Sequence, residues 1–172
     1  MKRASVLAIA FLVLPLLARA QTAAPLSSRN EAFVRACIEH VNKREIDAYM
    51  DCWADNVSNN GQTVPRDRVR STIEDIIATF PNFEWRILDV VADADTVVVL
   101  TRHIGTHRGV ATGVWNGGGL RGVAATGKQM NMLATHWWTL RDGKVVEQQA
   151  VREDLVMMRQ LGLAPDPRDN AR

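Results

Sequence analysis

The apolar positions of this chain change their spacing partway along it. In the first half they recur at intervals of three and four residues, the period of one helix face. This period predicts a helix from Ser28 to Lys43, a shorter one from Ile46 to Ala54, and a third that Pro65 opens and that stops at Phe80-Pro81. Ser28 and Glu31 also have the spacing of a capping box, which favours a helix start there.

From residue 83 the pattern is that of strands. Short runs rich in β-branched and aromatic residues alternate with turn residues, and Asp142-Gly143 is a strong hairpin signal. The predicted strands span residues 83–91, 96–103, 128–140 and 144–152, and a last helix spans 153–161. This order predicts an α+β domain, in which a curved antiparallel sheet is wrapped by three N-terminal helices around a conical, largely apolar pocket.

The first twenty residues have the pattern of a secretory signal. Lys2 and Arg3 precede an apolar run from Val6 to Leu17, and small residues before Gln21 predict cleavage at that point. A membrane anchor is the alternative, but the apolar run is shorter than the ~20 residues that a span needs. We expect a periplasmic or secreted domain, residues 29–165, between a loose lead-in (21–28) and a disordered tail (166–172), with no membrane attachment after cleavage.

Removal of the signal changes the charge of the protein. The 172 residues include 21 basic and 19 acidic ones, and cleavage removes Lys2, Arg3 and Arg19, which leaves 18 basic and 19 acidic residues. This near-neutral balance gives no indication of binding to nucleic acid or to an acidic membrane.

Cys37 and Cys52 each lie about seven positions from the predicted corner between the first two helices, at Arg44-Glu45. Residues equidistant from the turn of an antiparallel helix pair lie side by side, so a disulfide is geometrically possible in an exported protein. The alternative is a pair of buried, reduced cysteines that act as small core residues.

Strand alternation selects the candidate pocket residues. If the even positions of strands 128–140 and 144–152 share the inward face, the pocket wall holds two methionines, Ala134, His136, Trp138, Gln148 and Ala150. A neutral histidine in an apolar wall is a candidate general acid or base, and the alternative is a core histidine satisfied by a carbonyl or by Gln148.

Other histidines and the tryptophans are secondary candidates. His103 and His107 flank Gly105 at a strand end, but no carboxylate or cysteine stands at ligand spacing, so we expect no metal site. The tryptophans are either core residues or a stacking surface for an aromatic ligand, and the candidates for such a surface are Trp53, Trp85, Trp115 and Trp138.

Several motifs together resemble a known family. "VNKREIDAYMDCWADNV", "FPNFEW", "RHIGTHRG", "LRDGKVVEQ" and "RQLG" occur in the order seen in SnoaL-like polyketide (ester) cyclases, of the nuclear-transport-factor-two-like superfamily. The resemblance implies a cofactor-free reaction, a homodimer formed through the outer sheet face, and an aspartate base assisted by a histidine. The histidine of the family falls on His136 and its aspartate on Ala150. About nine extra residues between Gly109 and Thr126 suggest either a mobile lid over the pocket mouth or a loop that is ornamental or contacts a dimer partner.

Two hypotheses follow from the alanine at position 150, where the family has its aspartate. In the first, the protein is a cofactor-independent cyclase, isomerase or lyase for a small hydrophobic carbonyl compound of aromatic or polyketide-like type. His136 would then be the acid/base, Glu153 or Asp154 would orient it, and Gln148 and Arg102 would hold developing negative charge. In the second, the same pocket binds a small ligand without catalysis, or serves a dimer, because alanine cannot carry a proton.

Overall fold

The computed structural model describes residues 24–113 and 118–165. The predicted signal segment, Trp115 and the predicted tail lie outside the described residues. The helices are α1 (Leu26–Lys43), α2 (Ile46–Asp51), α3 (Arg66–Thr79) and α4 (Asp154–Gln160). The strands are β1 (Trp53–Asn59), β2 (Gln62–Pro65), β3 (Glu84–Asp93), β4 (Thr96–Thr106), β5 (Gln129–Arg141) and β6 (Lys144–Arg152). No helix within the described ranges is long and apolar enough to cross a membrane.

The six strands form one open sheet in the order β2-β1-β6-β5-β4-β3. Neighbouring strands are antiparallel except for β1 and β6, which run parallel. The predicted α+β class and the N-terminal helices are therefore confirmed, while the sheet is mixed rather than wholly antiparallel. Strands β1 and β6 are separated along the chain by β2, α3 and β3 to β5, and this long connection allows the parallel pairing that a tight hairpin cannot make.

Helix α1 covers one face of the sheet and packs on β3 and β4. Its buried residues, Val34, Cys37, Ile38 and Val41, follow the spacing of a single apolar stripe. In β4 every second residue from Val97 onward is buried, so one face of this strand belongs to the core. The core thus lies between the helices and the concave face of the sheet.

Two predicted helix boundaries are wrong. Helix α1 begins at Leu26 after Pro25, without a side-chain cap, so Ser28 lies inside the helix and the predicted capping box does not form. The second helix ends at Asp51 instead of Ala54, and Trp53 begins β1. The backbone carbonyl of Cys52 already accepts the N–H of Val145 on β6, and this sheet pairing overrides the local helical pattern.

Cys37 and Cys52 form a disulfide, with their Cα atoms 6.2 Å apart. The sequence allowed either a disulfide or a pair of buried, reduced cysteines, and the structure contains the disulfide. It ties the middle of α1 to the residue directly before β1. Because Trp53 follows at once, the bridge also fixes the point at which that side chain enters the core.

A bulge near the start of β6 changes which residues face inward. Thr139 is opposite Glu147 and Leu140 is opposite Val145, so Val146 is the extra residue. Val145 is consequently buried, where strict alternation predicts Val146. Beyond the bulge the predicted alternation holds, and Ala150 lies directly opposite His136.

Candidate functional site

An apolar cavity of about 70 Å³ lies between α3 and the concave face of the sheet. Its aromatic and imidazole wall consists of Tyr49, Trp53, Phe83, Trp85, His103 and His136. Its aliphatic and thioether wall consists of Val69, Ile73, Ile76, Met130 and Met132. The polar residues at its mouth are Asn59, Thr72, Gln148 and Arg152. An apolar wall with a few placed polar groups is typical of small-molecule sites.

The aromatic side chains and the two histidines form one continuous cluster. The imidazoles of His103 and His136 stack with ring centroids 5.5 Å apart and an interplanar angle of 25°. The indole of Trp85 contacts both of them, with centroid distances of 5.4 Å to His103 and 4.9 Å to His136. Trp138 lies behind Trp85 and also contacts Trp53 edge to face. Each ring therefore constrains the orientation of the next.

The strands bring the two imidazoles together. His103 on β4 is opposite Met132, His136 on β5 is opposite Val99, and the pair between them in the ladder is Thr101 and Ala134. Both of these intervening side chains are small and buried on the inward face. They leave space in which the larger imidazoles lean towards each other.

The end of α1 fixes the aromatic residues of β3. The side-chain amide of Asn42 donates to the carbonyl of Trp85 and accepts its N–H, at 3.1 and 2.8 Å. Arg44, in a left-handed conformation with φ of 66°, donates to the carbonyl oxygens of Pro81 and Phe83. These contacts hold the backbone on which the Phe83 and Trp85 rings stand.

Several buried ring nitrogens in this cluster have no hydrogen-bond partner. Among the described residues this holds for both nitrogens of His136 and for one nitrogen each of His103, Trp53, Trp85 and Trp138, and outside the cluster for Nε2 of His107. A buried polar atom without a partner costs about 1–3 kcal/mol, and native proteins rarely leave several together. Their concentration around one cavity indicates a site that a polar atom of a ligand or a water completes.

The two imidazoles are uncharged at neutral pH. Burial, with a smaller contribution from the positive charge of Arg152, lowers the pKa of His136 to about 3. Burial first, then His136 and Arg152, hold the pKa of His103 well below its usual value. Each neutral ring offers one N–H donor and one acceptor nitrogen. The wall therefore suits an uncharged ligand that carries oxygen atoms.

The structure brings several of the predicted site residues to this cavity and leaves others away from it. Trp53, Trp85, His103, His136 and Gln148 line the cavity. Ala134 and Trp138 are fully buried behind the lining.

Arg102 and His107 do not reach the cavity. Arg102 alternates with His103, faces the other side of β4 and donates to the side chain of Asn131. His107 lies past the end of β4, where its Nδ1 accepts the N–H of Thr126 and its ring packs on Phe80. Strand parity and the strand end thus place these two candidate site residues away from the cavity.

Glu153 and Asp154 do not orient His136. The Glu153 carboxylate accepts the backbone N–H of Leu133, and Asp154 accepts two hydrogen bonds from the Arg152 guanidinium. Both residues stand at the start of α4, beyond the inward-facing end of β6. Within the described ranges, no group of three or more histidine, cysteine or acidic residues could hold a metal ion.

Ala150 occupies the place opposite His136. It alternates with Gln148 and Arg152, both of which line the cavity mouth, so its methyl group faces the same side. Its backbone N–H donates to the side chain of Asn60, which extends the edge of β6 past the end of β1. A longer side chain at this position would point towards the imidazole.

The extra loop after β4 is anchored to α3. The backbone N–H groups of Arg108 and Gly109 donate to the carbonyl of Thr79, and a Cβ on Gly109 would lie 2.0 Å from the carbonyl oxygen of Ala78. Further along, the Asp75 carboxylate accepts the N–H groups of Thr112 and Gly113 and the Thr112 hydroxyl. The loop is thus held beside the cavity mouth by a buried carboxylate.

Some lining residues could not be identified by strand alternation alone. Tyr49 comes from the short second helix and Thr72, Ile73 and Ile76 from α3. The apolar stripe of α3 predicts that these residues are buried, but it does not show that they line a cavity. Asn42 gives no signal, because its role depends on a contact 43 positions along the chain.

The family is shown by comparison with known proteins. The model of SnoaL-like polyketide cyclases matches residues 31–161, which is most of the chain. The chain therefore belongs to this family, and the resemblance noted from its motifs is confirmed. No curated protein matches the sequence significantly.

Solved structures agree on the fold. AclR from Streptomyces galilaeus, a proposed hydroxylase, matches with a TM-score of 0.69 at 20% identity and covers 81% of this chain and 89% of that one. A proposed SnoaL-like polyketide cyclase from Jannaschia sp. CCS1 matches with a TM-score of 0.67 at 20% identity, over 84% of this chain and 99% of that one. IdmH from Streptomyces antibioticus, a proposed polyketide cyclase, has a TM-score of 0.64 at 19% identity, over 78% and 99%. At such identities the likeness shows the nuclear-transport-factor-two-like fold alone.

Proposed function

We propose that the cavity binds a small, uncharged, hydrophobic carbonyl compound and polarises its carbonyl group. The observation that carries this proposal is the set of unpartnered ring nitrogens on an otherwise apolar wall. Trp85 and the neutral imidazole of His136 supply N–H donors of the kind that stabilise a developing oxyanion. An ionised ligand is disfavoured, because burying a charge without a compensating partner is costly.

The reaction that fits this arrangement is a cofactor-free cyclisation, isomerisation or lyase step next to the carbonyl. With its pKa near 3, His136 is a weak base and a suitable neutral hydrogen-bond donor. Its role would be to lower the cost of forming an enolate, while the proton leaves the carbon atom next to the carbonyl for a base from the solvent that enters at the cavity mouth. This role needs neither an aspartate at position 150 nor an orienting carboxylate.

Binding without catalysis is the second candidate, and Ala150 is the observation that favours it. The family's base position holds a methyl group, and the neighbouring carboxylates of Glu153 and Asp154 are engaged elsewhere. The same unpartnered nitrogens would then serve recognition only.

Deuterium exchange separates the two candidates. The probe is 4-hydroxyacetophenone in D₂O at neutral pH, with loss of its methyl proton signal followed by NMR. Carbonyl polarisation predicts exchange faster than in buffer, reduced by at least about tenfold in His136→Phe if one donor contributes about 1.4 kcal/mol or more to the transition state. His40→Gln, on the helix surface, serves as the control.

The outcomes of this experiment differ for the two candidates. Saturable binding without accelerated exchange would support the second candidate. Exchange that persists in a folded His136→Phe variant would remove this histidine from the mechanism, and absence of both binding and exchange would contradict the proposed function.

We further propose that the mature chain is exported to the periplasm or secreted. The Cys37–Cys52 disulfide supports an oxidising compartment. N-terminal sequencing of the protein from cell fractions should give a periplasmic or secreted species beginning at Gln21, whereas a cytoplasmic protein with an intact Met1 would contradict this.

A further inference from the structure

The apolar cavity borders a wider polar compartment, which we call the vestibule. The vestibule has a volume of about 490 Å³, against about 70 Å³ for the cavity. The two compartments share four residues at their junction, namely Asn59, Thr72, Gln148 and Arg152. The two compartments are therefore adjacent, and these four side chains lie at the boundary between them.

The size of the cavity limits what it can hold. A cavity of about 150 Å³ is known to bind benzene, so this one needs some adjustment to admit even a single ring. Met130 and Met132 line it, and flexible thioether side chains can make that adjustment. Most of the volume of a larger ligand would lie in the vestibule.

The vestibule wall is rich in neutral hydrogen-bonding groups. The side-chain amides are those of Asn59, Asn60, Gln62 and Gln148, and the hydroxyls are those of Ser71, Thr72 and Thr112. Within the described residues, Gln62 and Gln148 make no side-chain hydrogen bond. An apolar group placed against these amides would remove water from them without replacing its hydrogen bonds, and this is unfavourable for each polar group left without a partner.

The charged groups of the vestibule do not favour an anion. Arg152 is paired with Asp154, and the Asp75 carboxylate contributes negative charge to the same wall. Arg68 is exposed and stands at the rim. Amides, by contrast, offer a donor and an acceptor side by side, which suits hydroxyl groups that both donate and accept.

From these observations we infer that the natural ligand has two parts. A one-ring carbonyl head enters the cavity, and a neutral, hydroxyl-rich arm of the size of a sugar occupies the vestibule. This inference rests on the proposed function, because the head is the carbonyl compound proposed for the cavity.

Calorimetric titration with three probes that share one head tests the inference. The probes are 4-hydroxyacetophenone, its β-D-glucoside, and the anionic 4-acetylphenoxyacetate. Two or more new hydrogen bonds to the sugar predict a Kd for the glucoside at least about tenfold below that of the parent phenol. The anionic probe should bind no tighter than the parent.

Matched variants locate the arm. Gln62→Ala changes a side chain that lines the vestibule alone, and it should reduce the advantage of the glucoside several-fold while the parent binds as before. Gln149→Ala, on the opposite face of the same sheet, is the control and should leave all three affinities unchanged.

Each other outcome has a distinct meaning. A parent that binds as tightly as its glucoside would overturn the two-part ligand and leave the proposed function standing. Tightest binding of the anionic probe would also overturn it, in favour of an acidic arm near Arg68. If none of the three probes binds, the proposed function fails and the inference fails with it.

Discussion

At the scale of single residues, the site is defined by polar atoms that are buried without partners. His136, His103 and three tryptophans keep ring nitrogens unpaired around one small space. Hydrophobic packing alone would favour phenylalanine or leucine at these positions, because those side chains carry no polar atom. The stability lost by burying these unpartnered nitrogens therefore indicates that they serve a function.

Ala150→Asp should raise the pKa of His136. The new carboxylate would stand opposite the imidazole in the β5–β6 ladder, and a nearby negative charge favours the protonated ring. Titration of the histidine ring signals by NMR provides the measurement. Ala150→Asn is the neutral control of similar shape, and equal titration curves for the two variants would show that position 150 does not face His136.

Acid should destabilise the protein partly through His136. Its pKa is about 3 when folded and near 6.5 when unfolded, so between these values the unfolded chain binds a proton that the folded chain does not. The free energy of unfolding should fall with decreasing pH in this window, by about 1.4 kcal/mol per pH unit for each such histidine. His136→Phe should make the fall shallower by about that amount in urea titrations at pH 6 and 4. An unchanged slope would mean that His136 is protonated in the folded state.

At the scale of secondary structure, the strand pattern located β3 to β6, but β1, β2 and two helix boundaries were missed. β6 was predicted with its observed bounds, and parity correctly put His136 and Gln148 on the inward face. Parity failed at Val146, because a bulge depends on the partner strand. The end of α2 was missed for the same kind of reason, since Cys52 pairs with β6. Contacts between residues far apart in the chain determine both the bulge and the end of α2, so a local sequence pattern cannot predict either.

The loop after β4 provides a prediction at the same scale. Asp75→Asn should weaken the hydrogen bonds to Thr112 and Gly113, and it should lower the free energy of unfolding by about 1.5–3 kcal/mol, the range for bonds to a charged group. Hydrogen exchange at the amides of these two residues should become faster. Glu74→Gln, the exposed neighbour on α3, should change stability by less than about 1 kcal/mol. Amides that stay protected in Asp75→Asn would show that this carboxylate does not anchor the loop.

At the scale of the whole molecule, the family and the open sheet with its helical cover are established, and the assembly is a proposal. We propose a homodimer through the outer sheet face, where Trp137 is 45% and Val151 69% exposed. Trp137→Lys should convert the dimer to monomer in analytical ultracentrifugation, because an unpaired charge would enter the interface. Leu155→Lys, an exposed site on α4, is the control. A monomeric wild-type protein, or a Trp137→Lys dimer, would contradict this proposal.

The central claim is that the indole and imidazole nitrogens around the cavity receive the oxygen of an uncharged ligand. It is tested most directly by NMR of the indole N–H signals during titration with 4-hydroxyacetophenone. The signals of Trp53 and Trp85, which line the cavity, should move on saturation, while that of Trp137 on the outer face should not. Movement of the Trp137 signal alone, or no movement at any probe concentration, would contradict the claim.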